Sequence, residues 1–255
     1  MIDDVIKISQ KAGEAILTYY DDEIEIEKKQ DQSPLTKADL AAHRVIVDEL
    51  QKLTPDIPIL SEEGGIPEYP VRKKWKKYWL VDPLDGTKEF IKKNGEFTVN
   101  IAWIENNEPV LGVVHIPAKK ITYAGSTKSE SFKIDPDGNK EVIHSEQADL
   151  KKPLRVVCSR SHGSSDLDQV LAEKGLKVGD KVPAGSSLKF CLVAEGAADI
   201  YPRLGPTMEW DTAAGDAVYR YAGRNGANPS PLRYNKPDLK NGSFIIGVDA
   251  DMDKS

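Results

Sequence analysis

The chain has 255 residues, of which 39% are hydrophobic and 30% are charged, and its net charge is −6 at pH 7. This length suits one large or two closely packed α/β domains, and the acidic balance argues against a nucleic-acid partner, because proteins that bind the nucleic-acid backbone carry a basic face. No apolar run reaches the roughly 18 residues of a membrane-spanning helix. The N-terminus has acids where a secretion signal needs basic residues, so we expect a cytoplasmic protein.

Two helices are predicted at the start of the chain. Apolar residues recur at helical spacing over residues 1–20, which indicates an amphipathic helix. A second helix is predicted from about residue 33 to Leu53, with Leu40, Val47 and Leu50 facing inward and Asp39 in its first turn. From the pattern alone, Asp39 is an acid that complements the helix dipole.

A buried strand that runs into two carboxylates is the most informative stretch. Residues 78–81 are aromatic and branched, and Pro83 is predicted to end the strand because proline cannot donate to the ladder. Asp82 and Asp85 then lie close together across a turn that Gly86 relaxes, and such anions repel unless a cation lies between them. Oxygen ligands of this kind suit Mg²⁺. In an isolated string, ordinary turn chemistry is the simpler interpretation, so the magnesium hypothesis needs further carboxylates.

Further carboxylates follow two other short elements. Residues 58–60 form a second apolar strand that ends in Glu62, Glu63 and two glycines, and Asp211 lies at the start of a predicted helix. Because strand ends and a helix start can converge on one cleft, these acids are candidates for the same site.

The remaining elements divide the chain into two predicted domains. Two strands around the string Glu-Asn-Asn-Glu at 105–108 indicate a hairpin. A change of composition at residues 151–153 suggests a boundary, giving domains 1–150 and 151–255. In the second domain, a helix is predicted from Ser186 to Gly196. Cys158 and Cys191 are isolated in apolar segments and are predicted to be buried thiols.

The acidic strings together resemble the inositol monophosphatase superfamily of Mg²⁺-dependent, lithium-sensitive phosphatases. The strings are Ser-Glu-Glu at 61–63, Asp-Pro-Leu-Asp-Gly-Thr at 82–87 and Trp-Asp-x-x-Ala-Gly at 210–215. Longer strings at 87–102, 159–162 and 185–196 resemble, more narrowly, the bacterial 3'(2'),5'-bisphosphate nucleotidases of the CysQ type. The resemblance implies an α/β (α+β) fold in which helices and sheets alternate as α-β-α-β-α layers.

The resemblance also implies a metal site. Asp82 would bridge Mg²⁺ ions, about two to three of which suit this chemistry, with Glu62 on one ion and Asp85 and Asp211 on another, and with the Leu84 carbonyl as a backbone ligand. Inhibition by Li⁺ is implied in the same way.

Catalytic and substrate-binding roles follow from the same resemblance. Asp39 and Thr87 would orient the attacking water beside Glu62, and these three are the catalytic candidates. A second phosphate, away from the metals, needs cationic donors. The substrate-binding candidates are Glu62, Leu84, Asp85, Gly86, Thr87, His162, Ser186, Lys189, Arg203 and Asp211. Taken singly, each has a simpler explanation: His162 as a loop histidine, and Lys189 and Arg203 as solvated charges.

The implied reaction is hydrolysis of adenosine 3',5'-bisphosphate to AMP and phosphate, in sulfate assimilation. The 2',5' isomer and 3'-phosphoadenosine 5'-phosphosulfate are implied as secondary substrates. The sequence leaves three features open: preference among these substrates, monomer or homodimer, and peripheral association with the inner membrane.

Three alternatives compete with this hypothesis. An inositol monophosphatase would share every metal ligand, although the strings at 88–94 and 186–189 favour the nucleotidase. In an acyl hydrolase, Ser186 would be the nucleophile and Lys189 the base, but the companion strings of that class are absent from the sequence. A non-catalytic cation-binding module is the third.

Overall fold

The computed structural model describes residues 1–20, 26–28, 34–159 and 165–248, with the backbone alone for 26–28, 34–35 and 165–166. The helices of these ranges are α1 (Ile2–Leu17), α2 (Lys37–Leu53), α3 (Tyr69–Arg72), α4 (Thr87–Ile91), α5 (Ser165–Glu173), α6 (Leu188–Ala194) and α7 (Glu209–Arg220). The strands are β1 (Ile26–Lys28), β2 (Pro34–Thr36), β3 (Ile59–Ser61), β4 (Lys77–Asp85), β5 (Thr98–Glu105), β6 (Glu108–Ile116), β7 (Ile121–Ser126), β8 (Ser129–Ile134), β9 (Lys140–Val142), β10 (Leu154–Ser159), β11 (Val178–Ala184), β12 (Tyr201–Arg203), β13 (Thr207–Met208), β14 (Lys240–Asn241) and β15 (Phe244–Ile246).

A seven-stranded sheet with the order β3-β4-β5-β6-β7-β8-β9 forms the centre of the molecule. Successive side chains of a strand point to opposite faces, and β4 is apolar on both. Trp79 and Val81 pack against α1 and α2 on one face, whereas Tyr78 and Leu80 pack against α6 and α7 on the other. The acids at the end of β4 are therefore held by a strand that is anchored on both sides.

A second, smaller group of strands covers the far side of α6 and α7. β10 pairs in parallel with β11, and an isolated bridge joins it to Ile200, just before β12. In β10, Val157 faces the cluster around α6 and α7, while Val156 packs against Leu171 of α5. The order of layers is α1/α2, large sheet, α6/α7, small sheets, α5, which confirms the α-β-α-β-α arrangement.

The hydrophobic cluster between the two sheets contains residues of both predicted domains. Leu60 and Tyr78 lie in the same cluster as Phe190 and Trp210. The division into 1–150 and 151–255 stays a prediction, and any such boundary crosses this shared core.

Two local sequence predictions were wrong. Leu40 was predicted to face inward but is 36% exposed, because the buried stripe of α2 runs through Ala42, Ile46 and Leu50 instead. Strand β4 does not end at Pro83 and continues to Asp85. A shift in its pairing with β5 between Asp82 and Asp85 inserts extra backbone, and such a bulge is a place where a strand tolerates proline.

The cysteines are both free thiols, as predicted, with Cys191 buried and Cys158 half-buried. The hairpin at 105–108 also forms as predicted, since Asn106 and Asn107 adopt the positive φ angles of 51° and 66° that its two-residue turn requires. Among the described residues, the helices are all too short or too polar to cross a membrane.

Candidate active site

Carboxylates from three elements meet at the end of β4. Asp82 is 1% exposed, and its Oδ1 accepts a hydrogen bond of 3.0 Å from the Leu84 amide. Asp211 lies in the first turn of α7, where its Oδ2 accepts from the Met208 amide at 2.8 Å. The residue after β3 is Glu62, whose amide donates to the Val81 carbonyl at 3.1 Å, so β3 and β4 deliver their acids side by side.

The carboxylates interact strongly in this buried setting. Burial raises the pKa of Asp82 well above its usual range, and the negative charges of Glu62, Asp85 and Asp211 raise it further. Burial and Asp85 likewise raise the pKa of Asp211, while the Met208 amide opposes this shift. The structure therefore brings together Glu62, Asp82, Asp85 and Asp211, which are separated by up to about 150 positions in the sequence.

The chemistry of the acidic cluster fits a divalent cation, although its carboxylates do not converge on a single ion position. Within the described ranges, no three histidine, cysteine, aspartate or glutamate side chains lie close enough to one point to hold an ion. The raised pKa values and the lack of a closed cluster are compatible, because charges interact over several ångströms whereas a Mg²⁺–oxygen distance is about 2.1 Å. The carboxylates are close enough to repel one another but do not surround a single ion position. The donors are all oxygen atoms, which a hard cation such as Mg²⁺ prefers, and its positive charge would reduce the repulsion that raises the pKa values of the carboxylates.

Two polar residues that the sequence analysis missed lie beneath the cluster. Ser187, 2% exposed at the start of α6, contacts Asp85 Oδ2 at 3.0 Å and the Asp211 carbonyl oxygen at 2.7 Å. Asn100 of β5, 1% exposed, donates from Nδ2 to the Ser187 hydroxyl at 2.8 Å. Both lie in strings that resemble the nucleotidases, Asn100 in 87–102 and Ser187 in 185–196, but the resemblance assigned neither of them a role.

Ser186 connects the same turn to β4. Its backbone has a positive φ of 54°, a conformation that costs a non-glycine residue energy and is concentrated at functional sites. Its hydroxyl donates to the Asp85 carbonyl at 2.7 Å and lies 3.0 Å from the Thr98 hydroxyl. Because the Asp85 carbonyl takes the proton, this geometry disfavours Ser186 as the nucleophile of an acyl hydrolase.

A cavity of about 150 Å³ is lined by members of the acidic cluster and by cationic residues, and its lining includes Asp85, Ser186, Lys189, Arg203 and Asp211. Lys189 is 7% exposed, and its Nζ lies 5.6 Å from the centre of the Tyr201 ring. Burial lowers the pKa of Lys189, although the charges of Asp85 and Glu89 oppose this shift. Lys189 is therefore a desolvated cation inside a cavity, and its interpretation as a solvated surface charge was wrong.

Arg203 also lines this cavity. Its Nε and one terminal nitrogen donate to the carbonyls of Gly205 at 3.1 Å and Pro206 at 3.2 Å. These bonds brace the turn that leads into β13 and α7. His162, the fourth candidate for contact with a second phosphate, lies outside the described residues.

The two candidates for orienting water lie at helix starts. Asp39 is 1% exposed, and its Oδ2 accepts from both the amide and the hydroxyl of Thr36, at 2.8 Å and 2.6 Å. This pair forms a capping box that fixes the carboxylate at the first turn of α2. Thr87 is the first residue of α4, directly after Gly86, whose φ of 89° turns the chain from β4 into that helix.

Comparison with known proteins agrees with this architecture. A model described as the inositol monophosphatase family matches residues 2–249. The chain belongs to the inositol monophosphatase family. Membership of this family implies the use of a divalent metal.

Relatives within this family carry a narrower name. A protein named 3'(2'),5'-bisphosphate nucleotidase CysQ from Escherichia coli strain K12 is 49% identical over 253 residues, which cover 97% of this chain and 100% of the relative. The protein of the same name from Salmonella typhimurium is 51% identical over 225 residues, or 88% of each chain. The crystal structure of CysQ from Bacteroides thetaiotaomicron is similar with a TM-score of 0.78 at 41% identity, covering 96% of this chain and 95% of that one.

Proposed function

We propose that this chain is a 3'(2'),5'-bisphosphate nucleotidase that hydrolyses adenosine 3',5'-bisphosphate to AMP and phosphate. The observation that carries the proposal is the identity of about half of all residues to proteins of that name over nearly the whole chain. The cavity supports it, because a substrate with two phosphates needs a place for each anion, and the lining includes members of the acidic cluster as well as the cationic Lys189.

The proposed metal ligands are the carboxylates of Glu62, Asp82, Asp85 and Asp211 together with the Leu84 carbonyl. Divalent cations held there would supply charge neutralisation for the phosphoryl group and activation of the attacking water. The finer assignment is that about two to three Mg²⁺ ions are used and that Li⁺ inhibits.

The roles proposed for this chain's own groups come from the family resemblance, and the capping box that holds Asp39 supports them. Asp39, fixed by Thr36, and Thr87 would hold the attacking water in line with the scissile bond, next to Glu62. The amides of Gly86 and Thr87 would donate to the phosphoryl oxygens. Such positioning contributes to the rate because the reactants meet already oriented.

The second phosphate is assigned to the cationic residues that line the cavity. Lys189 meets it with few competing waters, since its ammonium is almost fully desolvated, and a charge-assisted hydrogen bond in such a place is strong. Ser186, Arg203 and His162 complete the proposed contacts. The 2',5' isomer and 3'-phosphoadenosine 5'-phosphosulfate each also carry an anionic group at both ends of the ribose and are proposed as secondary substrates.

A substrate panel tests the proposal. Purified protein is assayed for phosphate release from adenosine 3',5'-bisphosphate, its 2',5' isomer and inositol 1-phosphate, each with and without Mg²⁺. We expect Mg²⁺-dependent release from the nucleotides, and in Asp82→Asn a fall in kcat of roughly 100-fold or more, because the proposed shared ligand is weakened. Full activity in Asp82→Asn would remove the metal assignment, and a preference for inositol 1-phosphate would favour an inositol monophosphatase. The cytoplasmic location stays a prediction, and the choice between monomer and homodimer stays open.

A further inference from the structure

The hydroxyl of Ser187 lies between two elements that carry proposed metal ligands. It reaches the side chain of Asp85 at the end of β4 and the main chain of Asp211 in α7, at 3.0 Å and 2.7 Å. It is 2% exposed, so water does not compete for these contacts. One side chain thus joins a strand end and a helix start that are otherwise far apart in sequence.

A proton count shows what sets the direction of this hydroxyl. Ser187 Oγ has one proton and two acceptors within reach, so the proton is shared between Asp85 and Asp211. The Nδ2 of Asn100 donates to the same oxygen at 2.8 Å and occupies a lone pair. Because that side of the oxygen is taken by a donor, the proton of Ser187 points to the acceptors on the other side.

The orientation of the Asn100 amide is fixed by its neighbours. Its Nδ2 lies 3.5 Å from Asp85 Oδ2, a long contact in which a donor is tolerated and a second acceptor would be repelled. Its Oδ1 is buried and has no hydrogen-bond partner among the described residues. A protein that buries an unpaired carbonyl oxygen in order to turn the amide toward Ser187 accepts a cost in stability, which is common where a site is being held in place.

We propose that Ser187 and Asn100 are positioning residues for metal binding. Ser187 fixes the carboxylate of Asp85 relative to the first turn of α7, and Asn100, held in β5 opposite Asp82, fixes the direction of the Ser187 hydroxyl. This inference rests on the proposed function, since it assigns both residues to the support of the Asp85 and Asp211 carboxylates. Partners that hydrogen-bond metal-binding carboxylates typically contribute 10–100-fold to metal affinity or activity.

The test measures metal binding directly, in the absence of substrate. Mn²⁺ is titrated into the full-length, metal-stripped protein by calorimetry, and kcat, KM and the melting temperature are measured beside it. Ser187→Ala and Asn100→Ala are each expected to weaken Mn²⁺ binding about tenfold or more, with a larger fall in kcat than rise in KM. Ser187→Thr, which keeps the hydroxyl, is expected to bind Mn²⁺ more tightly than Ser187→Ala.

Ser9→Ala is the matched control. Ser9 is also a buried serine, 0% exposed, and its hydroxyl donates to the Ile6 carbonyl at 2.7 Å within α1, away from the acidic cluster. We expect Mn²⁺ affinity and kcat in Ser9→Ala to stay within about twofold of the unsubstituted protein. A loss in Ser9→Ala equal to that in Ser187→Ala would show a general effect of removing buried hydroxyls and would overturn the inference.

The double variant tests whether Asn100 acts through Ser187. If it does, the double variant binds Mn²⁺ within about twofold of the affinity of Ser187→Ala alone, because the shared interaction is already lost. Independent losses that multiply would overturn that part. Should Ser187→Ala fail to fold, Asn100→Ala decides alone.

The outcomes separate the two levels of the argument. If the unsubstituted protein binds Mn²⁺ and hydrolyses the bisphosphate while Ser187→Ala binds Mn²⁺ equally well, the positioning role is refuted and the proposed function stands. If the unsubstituted protein neither binds Mn²⁺ nor releases phosphate, the proposed function itself fails.

Discussion

Replacing Gly112 by alanine tests how tightly the helix that carries Asp211 is held against the large sheet. Gly112 lies on β6 and faces α7. A Cβ atom built on it would stand 2.6 Å from the Cβ of Ala217 and 3.0 Å from the carbonyl carbon of Ala214, and would also meet the Ala214 oxygen. Carbon atoms pack at about 3.5–4.0 Å, so α7 would have to retreat from the sheet by roughly 1 Å.

The magnitude follows from this retreat. Overpacking of a core costs about 1–3 kcal/mol, and because the atoms in contact belong to helix backbone and a buried methyl, we expect the upper part of that range. For a chain of this size, about 2–3 kcal/mol corresponds to a fall of about 4–12 °C in the melting temperature. Asp211 lies in the first turn of the displaced helix, and a misplacement of about 1 Å at a catalytic group costs roughly 100-fold in rate.

The assay combines calorimetric melting with kcat at 25 °C, where both proteins are folded. Gly242→Ala is the control, because Gly242 is exposed and a Cβ there would have nothing within 4 Å. We expect the control to melt within about 2 °C of the unsubstituted protein and to keep its kcat. If Gly112→Ala did the same, the close approach of α7 to β6 would have no energetic importance and the reasoning would be refuted.

Three further outcomes are expected. Burial lowers the pKa of His115 to about 4, so the stability that its neutral ring contributes is complete above pH ~6.5. As the pH falls toward 4, the free energy of unfolding is expected to decrease by about 3 kcal/mol. The same pH dependence of the free energy of unfolding in His115→Gln would contradict this expectation. Lys189→Met is expected to raise KM for adenosine 3',5'-bisphosphate roughly 10–100-fold and to leave KM for 3'-AMP within about twofold, because the monophosphate lacks the second anion; equal increases in steady-state assays would remove Lys189 from that role. EDTA is expected to abolish phosphate release and to lower the melting temperature, both restored by Mg²⁺, because the acidic cluster is left without a counter-charge; a melting temperature that does not respond to EDTA would argue against metal binding in the folded state.

Local physics made much of the fold readable in the sequence. The apolar run 78–81 becomes a strand because its side chains are branched or aromatic and can be buried on both faces. Asn106 and Asn107 form the hairpin turn because asparagine tolerates positive φ. In the same way, the acidic strings around Asp82, Glu62 and Asp211 can each be recognised from neighbouring residues. Their similarity to a known family indicated that the three carboxylates lie in one site.

The tertiary structure decided the features that depend on neighbours distant in sequence. The outward position of Leu40 and the continuation of β4 past Pro83 depend on packing and on pairing with β5, which no local pattern contains. From the sequence alone, Lys189 resembles a solvated surface charge. In the structure, α6 packs between the sheets, so Lys189 is buried and lies beside the Tyr201 ring.

Ser187 and Asn100 show the same limit most clearly. Both lie in strings that resemble a known family, but the resemblance does not show what either side chain contacts. Their importance arises only when β5, α6 and α7 pack together and bring one hydroxyl within hydrogen-bonding distance of two acidic residues. The sequence by itself therefore determined which groups have the chemistry for metal and phosphate, whereas only the packed structure decided which other groups hold them in place, because a hydrogen bond depends on distance in space.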